Sequence, residues 1–200
     1  MNKFLYLIRH AKTEGNLRSR YIGITDEPLS EQGIFELREH IAAGRYTAVE
    51  HVFVSPMLRC LQTKELIYPD VPYSIIPELA ECSFGIFENK SYEQLKDLAE
   101  YQSWIDSGGK QQIPGGEQPE VFRSRCLDGF SRVIQKVDEA GIEQAALIIH
   151  GGTIMMLLEA FSPEIFDFYH WQIKNGEGYQ MTIDPGLWAE KRKLAAISKI

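Results

Sequence analysis

Two hundred residues suffice for one sizeable core and only marginally for two, so residues 1–200 are expected to form a single domain. An apolar fraction of 44%, with 11% aromatic residues, argues against a disordered chain. A net charge of −7 speaks against nucleic-acid binding, which needs a basic face, and no apolar run approaches the roughly 20 residues that cross a bilayer. The apolar part of MNKFLYLIRH is too short for a secretion signal, and the three cysteines, Cys60, Cys82 and Cys126, form no C-x-x-C pair. A cytoplasmic protein without a disulfide framework or zinc site is expected. An anionic substrate would have to be drawn in locally, by a few arginines.

In chain order, Phe4 to Ile8 is an apolar run with β-branched and aromatic residues, the pattern of a strand buried on both faces. It stops abruptly at Arg9-His10. Burying an unpaired charge is expensive, so a fold that keeps a cation there needs it for an anionic ligand. After a polar stretch to Pro28, Ser30 is predicted to cap a helix running to Ala43, with Ile34, Leu37 and Ile41 on one face. Val52 to Val54 reads as a strand, Ser55 as an N-cap and Pro56 as the first residue of a helix reaching Ile67, with Arg59 in its first turn. Tyr73 to Ile76 is a third strand candidate.

Glu78 to Lys90 has no clean period and reads as an ordered loop with apolar anchors. Ser91 and Gln94 form a capping box opening a helix that includes Leu95 and Leu98. Ser107 to Gly116 is a surface loop. Phe122, Cys126, Phe130, Ile134 and Val137 mark a long amphipathic helix ending at Gly141. Ala145 to Ile149 is a second fully apolar strand, ending on His150-Gly151-Gly152 with an apolar helix behind it. Gln180 to Ile183 is the last expected strand, and the tail after Trp188 is basic and helix-prone. Strands alternating with helices predict an α/β fold, a three-layer α/β/α sandwich around a mainly parallel sheet.

Ligands of open α/β sheets bind beyond the carboxyl ends of the strands. Three predicted strand ends carry Arg9-His10, Ser55-Pro56 with Arg59, and His150-Gly151-Gly152. Two guanidiniums, two imidazoles and a glycine-led helix start make an anion site. A nucleophilic imidazole must be unprotonated, and neighbouring arginines favour that form while neutralising phosphoryl oxygens. Glu81 sits in a loop apolar enough (Leu79, Cys82, Phe84) to raise its pKa by desolvation, which suits a proton donor to a leaving alkoxide. No carboxylate cluster has metal-ligand spacing, so neither metal nor cofactor is expected. Cys126 to Arg132 matches C-x-x-x-x-x-R, but in a regular helix rather than a phosphate loop, and is read as structural. His40, His51 and Lys64 are read as surface residues, and His170 as packed with Trp171.

These blocks resemble the histidine phosphatase superfamily, the phosphoglycerate-mutase-like proteins. LIRHAKTEGN is similar to L-x-R-H-G-[EQ]-T-x-x-N, SPMLR to S-x-x-x-R, and IHGG to S-H-G-G. LAECSFGIFEN is similar to the acidic loop L-x-E-x-x-F-G-x-[WF]-E-G, and the blocks fall in family order. The resemblance implies a phosphoglycerate-mutase-like fold and a phosphohistidine on His10. Arg9, Arg59 and His150 would bind the phosphoryl group, Glu81 would donate the proton, and Thr13, Asn16, Gly23 and Gly151 would line the phosphate side. For Thr13, Asn16 and Gly23 turn chemistry is an equal alternative.

Three positions depart from the pattern. Ala11 replaces Gly, which requires that φ not be positive there; Lys12 replaces Glu or Gln and adds a cation; Asn89 replaces Gly and tolerates a left-handed backbone. Ser91 to Gly116 is short and contains no arginine, unlike the insertion with which mutases hold a bisphosphate. The expectation is therefore a phosphomonoesterase of the small branch, similar to α-ribazole and broad-specificity phosphatases, acting on a small phosphorylated metabolite. Mutase-type phosphoryl transfer and a non-catalytic phospho-ligand-binding module are the alternatives.

Overall fold

A computed structural model describes residues 1–200. Its six strands are β1 (Lys3–Arg9), β2 (His51–Val54), β3 (Tyr73–Ile75), β4 (Gln144–Ile149), β5 (Gly178–Ile183) and β6 (Ala196–Lys199). Its eight α-helices are α1 (Glu14–Leu17), α2 (Glu31–Ala42), α3 (Leu58–Ile67), α4 (Tyr92–Leu95), α5 (Ala99–Asp106), α6 (Pro119–Glu139), α7 (Gly151–Phe161) and α8 (Pro185–Lys191). The sheet order is β3-β2-β4-β1-β5-β6, with β1 to β4 mutually parallel, β5 antiparallel to β1, and β6 antiparallel to β5.

Side chains alternate across a strand, and the two central strands use both faces. Leu5, Leu7, Leu147 and Ile149 join the core shared with α6, α7 and α8. Tyr6, Ile8, Ala146 and Ile148 pack instead with Val52, Val54 and Cys60 of α3. On that side Leu37 and Ile41 of α2 lie against Leu66 and Ile67. The result is the expected sandwich. Its register matters for chemistry: Arg9 stands opposite Ile149, so His10 and His150, each one residue beyond its strand, emerge side by side.

Some local expectations are corrected. Ser55 does not cap α3, which starts at Leu58 after Met57, because the Ser55 hydroxyl is engaged by the His150 ring at 2.7 Å. Leu98 is not inside one continuous helix: α4 stops at Leu95, and Leu98 becomes the N-cap of α5. Leu95 and Tyr101 would face about 120° apart on an unbroken helix, whereas the break lets both pack with Phe87 and Ile113. Lys64 is 4% exposed rather than on the surface. Its ammonium donates to the Pro69 carbonyl at 3.1 Å and stands 4.7 Å over the Tyr73 ring. β5 is not the last strand either. Arg192, at φ 52°, ends α8, and the tail turns back as β6 along the sheet edge.

Candidate active site

The opening strand delivers two groups to one place. His10 is buried, and its Nδ1–H donates to the Ala11 carbonyl at 2.7 Å. That bond fixes the tautomer and leaves Nε2 with its lone pair. The His10 backbone carbonyl accepts from Asn175 at 2.9 Å, and the Ala11 N–H donates to Thr63 on α3 at 3.0 Å. The turn is thus pinned from two sides. Arg9 donates one bond, to the Ile173 carbonyl at 2.7 Å, and its Nε–H is buried without a protein acceptor. Gly151 makes room for it: a Cβ there would lie 3.3 Å from the Arg9 Cζ and Nε.

Arg59 is fully buried. Its guanidinium donates to the carbonyls of Thr25 at 2.8 Å and Gly23 at 2.9 Å and to His150 Nδ1 at 3.3 Å. A guanidinium carries five N–H donors, so two remain for an anion. With Nδ1 accepting, the His150 Nε2–H donates to Ser55. The two imidazoles lie 5.2 Å apart at 64°. Both are held well below the usual imidazole pKa, His10 by burial and then by Arg59 and Arg9, His150 by burial and then by His10 and the same arginines. Both are neutral near pH 7.

Glu81 reaches the site from the loop after β3. One carboxyl oxygen accepts from its neighbour Cys82 N–H at 3.1 Å, the other from Gly152 N–H in the first turn of α7 at 3.0 Å. Burial pushes its pKa up, and the two amide bonds, Arg59 and Arg9 only partly offset that. The flanking carboxylates are otherwise occupied. Glu78 pairs with Arg132 at 2.7 Å, and Glu88 accepts from the N–H groups of Gly23, Thr25 and Phe84. Glu81 instead lies within the field of Arg59 and Arg9.

The remaining expected residues have structural work. Thr13 caps α1 in a reciprocal box with Asn16, whose Oδ1 also accepts from Asn175 at 3.1 Å. Gly23 presents its carbonyl to Arg59 and its N–H to Glu88, and a Cβ there would overlap the Cys82 carbonyl. Ala11 avoids positive φ and Asn89 adopts φ 58°. Lys12 pairs with Glu36 at 2.8 Å and lines, with Arg9, Arg45 and Lys174, a polar cavity of about 640 Å³. Cys126 is buried in α6, its thiol pushed up to about 12 by burial.

Sequence patterns did not reveal Glu88, Asn175 or the Ser55–His150 bond as parts of this assembly. Asn175 precedes Gly176 and reads as turn chemistry. The Ser55 hydroxyl reads as a helix cap. Glu88 is one of three similar carboxylates in its loop.

A buried histidine pair at two adjacent strand ends, clasped by two arginines, invites comparison with known proteins. The sequence profile of the histidine phosphatase superfamily (branch 1) matches residues 5–194. The chain belongs to this superfamily. It is an enzyme of the histidine phosphatase type. An adenosylcobalamin/alpha-ribazole phosphatase of Salmonella typhimurium is 28% identical over 86% of each chain. The alpha-ribazole phosphatase crystal structure from Shigella flexneri superposes with a TM-score of 0.79 at 23% identity, covering 91% of both chains. The phosphoglycerate mutase of Bacillus anthracis superposes at 0.71 with 21% identity, over 92% of this chain and 88% of that one. The last two likenesses establish the phosphoglycerate-mutase-like fold of this histidine phosphatase.

Proposed function

We propose that this histidine phosphatase is a phosphomonoesterase that hydrolyses a small phosphorylated metabolite through a phosphohistidine on His10, without metal or other cofactor. His10 Nε2 attacks phosphorus as the ester P–O bond breaks, and Glu81 gives its proton to the departing alkoxide. Water then attacks the phosphohistidine, returning a proton to the Glu81 carboxylate and releasing inorganic phosphate and free His10. Arg9 and the two unpaired N–H groups of Arg59 hold the three equatorial oxygens, where a loose transition state spreads its charge. His150 accepts from Arg59 Nε and donates to Ser55, so it holds Arg59 in place, and its Nδ1 binds a phosphoryl oxygen only after taking up a proton.

The observation that carries this proposal is a neutral, tautomer-fixed His10 beneath two arginines, with a raised-pKa carboxyl on the α7 start opposite. A non-catalytic binding module has no use for a carboxyl kept protonatable beside its arginines. Hydrolysis is favoured over mutase-type transfer because Ser91 to Gly116 contains no arginine; its two cations are Lys96, paired with Glu93, and exposed Lys110. The test is p-nitrophenyl phosphate turnover in EDTA, with an alkaline detergent quench to trap a phosphoenzyme whose label is then lost on acid treatment. Turnover with label on His10 supports the proposal. Absence of activity on several esters would favour the binding module.

A further inference from the structure

On the assignment of Glu81 as proton donor, we infer that Arg125 of α6, with Glu117, is the residue pair that positions the Glu81 carboxyl for proton transfer. The loop carrying Glu81 belongs to no strand ladder, so its carbonyls need partners from elsewhere. Arg125 supplies them. Nη1 donates to the carbonyls of Glu78 at 2.8 Å and Ala80 at 2.6 Å, and Nη2 to that of Glu81 itself at 3.0 Å. The remaining fork donates in two parallel bonds to Glu117, Nε at 2.7 Å and Nη2 at 2.8 Å. All five N–H donors of the guanidinium are engaged, and the group lies 4.9 Å over the Phe122 ring. No ammonium can copy that planar fork.

Two consequences follow for the acid. The Glu81 backbone is fixed from the α6 side while its carboxyl is received by Gly152 N–H on the α7 side, so the side chain is stretched between two helices with little freedom. Gly152 permits this approach, because a Cβ there would lie 2.5 Å from Glu81 Oε1. Glu117, at 16% side-chain exposure, also neutralises Arg125, so a cation can clamp the loop without forcing the nearby carboxyl to ionise. Arg125 touches neither substrate nor His10. It acts through Glu81.

A positioning role predicts a leaving-group signature that general loss of structure does not. Nitrophenolate departs without a proton, whereas an alkoxide needs one. In Arg125→Met, kcat/KM for an alkyl phosphate should fall about ten-fold further than kcat/KM for p-nitrophenyl phosphate, part of the roughly 10²–10⁴ that general acid catalysis supplies. Arg125→Lys, which keeps charge but not the fork, should show the same split, smaller, and it carries the test if the methionine variant does not melt cooperatively. Glu81→Gln is measured alongside. If Glu81→Gln shows the split and neither Arg125 variant does, the positioning role is overturned while the acid assignment stands. If Glu81→Gln itself loses both substrates equally, the acid assignment fails and the positioning role falls with it.

Discussion

His10 and His150 occupy equivalent places, each one residue beyond a central parallel strand, both buried and both kept neutral. They differ in what their nitrogens do. His10 ties up Nδ1 on the chain and leaves Nε2 open; His150 has Nδ1 on Arg59 and Nε2 on Ser55. Under the proposed mechanism the difference gives one ring the bond making and the other the holding of a cation, although burial and charge environment scarcely distinguish them. Hydrogen-bond partners, not basicity, distinguish the two rings.

The sharpest way to break this comparison is to remove each ring. His10→Ala should reduce turnover by at least ~10³ and abolish the trapped phosphoenzyme, as loss of a nucleophile does. His150→Ala should be less damaging, about 10²-fold, with some phosphoenzyme still trapped. Equal losses, with label absent from both, would erase the distinction.

A smaller effect is expected at the acid. Glu81→Gln should cost an alkyl phosphate about 10²-fold and nitrophenyl phosphate much less, measured as kcat/KM for the two esters, which reports the leaving-group step apart from the shared dephosphorylation. Smaller again is Ser55→Ala. It leaves the His150 Nε2–H without its acceptor, which should lower stability by about 1–3 kcal/mol in denaturant melts and kcat by under about ten-fold. A drop as large as that of His150→Ala would make Ser55 part of the chemistry.

The mildest prediction concerns pH. The native pKa values of His10 and His150 lie below the ordinary 6.5, so on acidification the unfolded chain takes up protons first. Stability contributed by the neutral rings is complete above pH 6.5 and is lost as pH falls, by up to about 1.4 kcal/mol per pH unit for each ring. Glu81, with its raised pKa, acts in the opposite direction above the ordinary carboxylate range. Melting wild type and His10→Asn between about pH 7 and 5 isolates one ring, and the variant should show the shallower dependence. Identical slopes would mean that His10 is not held neutral by the fold.

Much of this was readable along the chain. Apolar runs that end on charged residues mark buried strands, because only a buried strand needs such a run and only an anion site tolerates Arg9, Arg59 and two histidines at its end. The β1 and β4 runs, the α2 and α6 stripes and the four motifs are local patterns of this kind. The edge strand β6 was not legible, since of Ala196 to Lys199 only Ile197 is even half-buried and no alternation shows. Nor was Arg125, whose position beside Phe122 and Cys126 on α6 reads as the polar margin of an amphipathic helix. Residue types and strand-end positions are properties of short segments, so the proposed nucleophile, the cations beside it and the sandwich follow from them. Which nitrogen is open, which of three carboxylates reaches the α7 start, and which guanidinium has all its donors spent depend on contacts between segments up to 165 positions apart in the chain. Packing alone sets those distances, because hydrogen bonds lose their strength within an ångström and no linear pattern encodes geometry that fine.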